Sequence, residues 1–99
     1  IPGSDSNPYL AIAMSLACGY LGLKEELQPG DPVAASAWKL AHSLPRSIND
    51  ALSSLAACTP IVEIFGERFI NLFIDLKLRE AQAFADTVSA WEREHLIII

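Results

Sequence analysis

Apolar positions recur along this chain mostly with a helical period. Leu10, Ala13, Met14, Ala17 and Leu21 follow at three- and four-residue spacing, which predicts a helix over about 7–22. Asn7-Pro8 supplies its start, asparagine as the cap and proline at the first helical position, and Gly22 its expected end. The other sides of this helix carry Ala, Ile, Cys and Tyr. A helix apolar nearly all round is buried on more than one side, so this one requires surroundings.

The segments around it read differently. Residues 1–6 form a loop, and Gln28-Pro-Gly-Asp-Pro32 is a turn-rich linker. Val33 to Leu44 lies between Pro32 and Pro45 and is expected to be irregular, with at most a short helix. Three capping-box patterns follow. Ser47 to Asp50 opens a helix over 47–57, with Asp a weaker fourth residue than Glu. Thr59 to Glu63, with Pro60 at the first helical position, opens one over 60–65 that stops at Phe65-Gly66. Glu67 begins the longest helix, 67–86, with Phe69, Phe73 and Leu76 beside Ile70 and Ile74. Ser89 to Glu92 predicts a break near Thr87 and a last helix over 89–95. An unbroken helix is the alternative, because Phe84, Val88, Trp91 and His95 keep helical spacing. Leu96 to Ile99 reads as a short strand or an apolar tail. The expected fold class is all-α.

Composition sharpens the point about surroundings. Of 99 residues, 52% are hydrophobic and only 19% charged, whereas about 25% charged is usual and a small domain has more surface to keep wet. Some apolar surface is therefore expected to meet something outside these residues. The net charge is −5, and Lys24, Lys39, Arg46, Arg68, Lys77, Arg79 and Arg93 are scattered, which argues against a nucleic-acid backbone as partner. Cys18 and Cys58 stand in alanine-rich surroundings and read as buried free thiols. No apolar run is long enough for a membrane span, the nearest being Tyr9 to Leu23.

The candidate chemistry is thin. His42 beside Ser43 reads as a loop histidine, since a nucleophile and its base seldom meet as sequence neighbours. His95 complements a helix C-terminus. Glu25-Glu26 and Glu92-Arg93-Glu94 read as solvated turns, because neighbours on a helix point different ways. Gly19 and Gly22 lack the rest of a phosphate-binding loop, and Trp38 and Trp91 read as packing anchors. No residue is assigned a catalytic, cofactor-binding or metal-binding role.

A family resemblance adds what these residues do not carry. Ile1-Pro-Gly-Ser-Asp-Ser-Asn-Pro-Tyr-Leu10 resembles the R-x-P-x-x-x-x-N-P-Y-L phrase of the glutamine synthetase family, which follows the last strand of its catalytic barrel. Ala11 to Gly22, Glu26-Leu-Gln-Pro-Gly-Asp-Pro-Val33, Leu44-Pro-Arg-Ser47 and Ile64-Phe-Gly-Glu-Arg-Phe69 follow in the family's order. Ser89-Ala-Trp-Glu-Arg-Glu-His-Leu96 is similar to the branch that makes γ-glutamylated polyamines such as γ-glutamylputrescine. The resemblance implies that residues 1–99 are a C-terminal fragment of that family's α+β catalytic domain, inactive alone. The parent is then an ATP- and Mg²⁺- (or Mn²⁺-) dependent ligase of nitrogen or polyamine metabolism. It joins the γ-carboxylate of glutamate to an amine or polyamine through a γ-glutamyl phosphate. It also implies a cytoplasmic homo-oligomer, a dodecamer by resemblance, without nucleic-acid or membrane partners. Metal ligands and phosphate-binding arginines are expected upstream of Ile1, while Asn7, Pro8 and Tyr9 turn the chain from strand into helix. The alternatives are glutamine synthetase proper, using ammonia, and a free-standing helical interaction module.

Overall fold

The computed structural model describes residues 3–36 and 44–96, and every regular element among them is α-helical. Helix α1 spans Pro8–Lys24, α2 Ile48–Ala57, α3 Thr59–Phe65, α4 Glu67–Ala85 and α5 Ala90–His95. Trp38, Lys39, His42 and Ser43 lie outside the described residues, as does the tail from Ile97 on; residues 31–36 form no helix.

The starts of these helices follow the polar signals closely. Asn7 Oδ1 accepts from the N–H of Tyr9 and of Leu10, at 3.0 and 3.4 Å, so two of the orphan donors of α1 are satisfied. Ser47 Oγ accepts from the Asp50 N–H at 3.1 Å. At Ser89 both halves of the box close: Ser89 Oγ accepts from the Glu92 N–H at 3.1 Å, and the Glu92 carboxylate accepts from the Ser89 N–H at 2.7 Å. Removing the cap at Ser47 (Ser47→Ala) is expected to cost about 1 kcal/mol of α2 stability, read as faster amide exchange confined to residues 48–52.

Two ends differ from expectation. Gly22 does not stop α1, which continues to Lys24. A glycine inside a helix costs only about 1 kcal/mol relative to alanine, and the reversal happens at Glu26, whose φ of 51° is left-handed. There the Leu27 N–H reaches back to Gly22 O at 3.0 Å. Thr59 is likewise not the cap of α3 but its first residue. The Cys58 carbonyl already accepts from the Ile61 and Val62 N–H groups at 3.1 and 3.0 Å, so the helix begins one residue early and makes no side-chain cap bond. The break between α4 and α5 is present: Thr87 turns back, its Oγ1 donating to Ala83 O at 2.9 Å.

Helices α2, α3 and α4 pack mutually, and α3 also touches α1. Their shared core is small. Ala17, Ile61 and Ile70 are buried together, with Met14, Leu21, Leu55, Cys58, Val62, Phe65 and Ile74 partly covered around them. Leu52 is the other buried hydrophobic residue among those described. Phe65, Phe69 and Phe73 stack in a row with centroids 6.0 and 6.4 Å apart. Helix α5 packs against no other described helix. The radius of gyration is 17.9 Å, against about 13 Å for a close-packed domain of 100 residues. Trp91, expected as a packing anchor, is 61% exposed, with the His95 ring stacked on it at 4.6 Å between centroids. Cys18, expected to be buried, is exposed and Cys58 half-buried, both as free thiols. Cys18 stands on a side of α1 that α3 does not cover.

Candidate functional site

An open groove of about 960 Å³ lies among the described residues. It is walled by the first two turns of α1 and the residues just before it, by one face of α2 and by α4 from Phe73 on. The Asn7 cap fixes where α1 starts, and so aims Leu10 and Met14 into it. Helical spacing on α2 adds Ile48, Leu52 and Leu55, and on α4 Phe73, Leu76 and Phe84. Polar groups stand at its rim: Asp5, Ser6, Lys77 and Glu80.

Those rim groups are poorly suited to catalysis. Lys77 Nζ donates to Glu80 Oε2 at 2.6 Å and sits 5.9 Å from the Phe73 ring centroid, so the ammonium is already paired. The Ser6 hydroxyl donates to Gly3 O at 2.6 Å. No group of three or more His, Cys, Asp or Glu side chains comes together among the described residues. A divalent ion needs several oxygen ligands converging at 2.0–2.6 Å, so these residues do not fit Mg²⁺, and no step through the ion is derived from them.

The other residues weighed in the sequence take structural positions. Glu25 is the C-cap of α1 and Glu26 the left-handed residue after it. Gly19 and Gly22 lie within α1. One ring nitrogen of His95 is 3.0 Å from Trp91 O, in the last turn of α5. The groove itself went unread in the sequence. Its walls were visible as separate apolar stripes, but their meeting depends on which helices pair. No single helix among the described residues is long and apolar enough to cross a membrane.

Glu92 has a displaced equilibrium. The Ser89 backbone N–H, and after it the Ser89 side chain, hold its carboxyl below the ordinary 4.5. A depressed folded value means the box contributes above the ordinary carboxylate range and is lost as pH falls through the folded value. Helix α5 is therefore expected to hold above the ordinary carboxylate range and to fray as pH falls through the depressed Glu92 value. Chemical shifts of residues 89–95 measure this, and Glu92→Gln is expected to abolish the pH dependence.

Residues 1–96 match the family model described as the glutamine synthetase catalytic domain. The chain belongs to the glutamine synthetase family. Glutamate–isopropylamine ligase from a Pseudomonas species is 34% identical over 96 residues, covering 93% of this chain and 21% of the relative. Glutamine synthetase from Archaeoglobus fulgidus is 32% identical over 95 residues, 87% of this chain and 19% of the relative. Type-1 glutamine synthetase 2 from Dictyostelium discoideum is 30% identical over 105 residues, 100% of this chain and 20% of the relative. The chain thus spans about a fifth of the length of the relatives it matches. No solved structure matches it. The all-helical architecture among the described residues is consistent with the helical region of that family's catalytic domain.

Proposed function

We propose that the complete protein is an ATP-dependent ligase that couples the γ-carboxylate of glutamate to a primary amine, and that residues 1–99 serve it as scaffold. The observation that carries this reading is the match over residues 1–96 to one catalytic domain, together with relatives that are glutamine synthetases and a glutamate–amine ligase. In the reaction inferred, ATP phosphorylates the γ-carboxylate with release of ADP. The amine then displaces phosphate from the acyl carbon and loses a proton. The ATP and divalent-ion sites are assigned to polypeptide outside these 99 residues, which alone are expected to be inactive. A cytoplasmic homo-oligomer, a dodecamer by resemblance, is part of the same proposal.

For the amine we favour an alkylamine or polyamine such as putrescine. Support comes from the Ser89 to Leu96 ending and from the isopropylamine-using relative. Ammonia is the second reading, supported by the two glutamine synthetases.

The test is to assay the complete protein with glutamate, ATP, Mg²⁺ and, in turn, putrescine, isopropylamine and ammonia, following γ-glutamyl amide by mass spectrometry and phosphate release. Putrescine is expected to exceed ammonia in kcat/KM by at least about 10-fold, the discrimination that one or two well-filled methylene subsites supply. Preference for ammonia would replace the polyamine reading by glutamine synthetase proper. No amide from any amine would sink the ligase reading and leave an interaction module.

A further inference from the structure

We draw no further inference here: the strongest candidate, the open apolar groove between α1, α2 and α4 lined by Leu10, Leu52, Phe73 and Phe84, carries nothing because nothing in the structure shows what covers it.

Discussion

Ile70→Ala in the complete protein is expected to speed amide exchange across α3 and α4 by about 100-fold. Ile70 is the most buried residue described, 2% exposed, and it meets Ile61 and Ala17 where α4, α3 and α1 converge. Truncating a buried Ile to Ala removes transfer free energy and leaves a cavity that the neighbours close only in part, costing 2–5 kcal/mol. At about 1.4 kcal/mol per tenfold, a loss of about 3 kcal/mol gives the stated factor. The site has little spare packing to recruit. Only four hydrophobic residues are buried among those described, and none falls below 2% exposure. Asn71→Ala, one residue on and exposed, is the control and is expected to shift exchange by less than about 0.5 kcal/mol equivalent. If the two variants behave alike, Ile70 is not where these helices are held together.

That core was only partly legible in the sequence. Ile70 and Ile74 stood on a recognisable stripe of α4, and Ser47 and Ser89 announced two helix starts because a hydroxyl cap is a local device, complete within four residues. Signals that depend on competition were less reliable. Gly22 reads as a stop, yet a helix tolerates one glycine, and the chain reverses where Glu26 takes a left-handed conformation instead. Thr59 reads as a cap, yet the Cys58 carbonyl engages first.

Burial was legible only as a demand. The apolar surround of α1 stated that it needs covering on more than one side, and the structure supplies α3 on one side only. Trp91 and Cys18 were expected inside on residue type, but burial belongs to the partner as much as to the side chain, and α5 has no helical partner among the described residues. The groove between α1, α2 and α4 was invisible for a related reason. Leu10, Leu55 and Phe73 lie 18 to 63 positions apart, and no local pattern says that their stripes meet. The functional reading came from ordered phrases of a family, not from any side chain whose chemistry could be derived.

Gly66 provides the second large effect, and it acts on the backbone alone. It ends α3 and starts α4 in one residue: its N–H donates to Val62 O at 2.9 Å, and its carbonyl accepts from the Ile70 N–H at 3.1 Å. The sharp joint requires φ 85° and ψ 135°, a region that a Cβ makes costly. Nothing lies within 4 Å of a Cβ built there, so the penalty is conformational and no neighbour can relieve it by moving. Gly66→Ala is expected to cost roughly 1–3 kcal/mol, and Gly66→Val more, through its branched Cβ. The loss should appear as faster exchange on both sides of the joint together, as the Ile61 and Ile70 contact opens. Asparagine makes the argument specific. It tolerates the left-handed helical region near ψ 47°, but that tolerance does not extend to ψ 135°, so Gly66→Asn is expected to be no better than Gly66→Ala. A wild-type exchange pattern in Gly66→Asn would mean that the joint turns through the left-handed helical region, and that the angle at which α4 leaves α3, which sets the whole groove wall, is different from the one described.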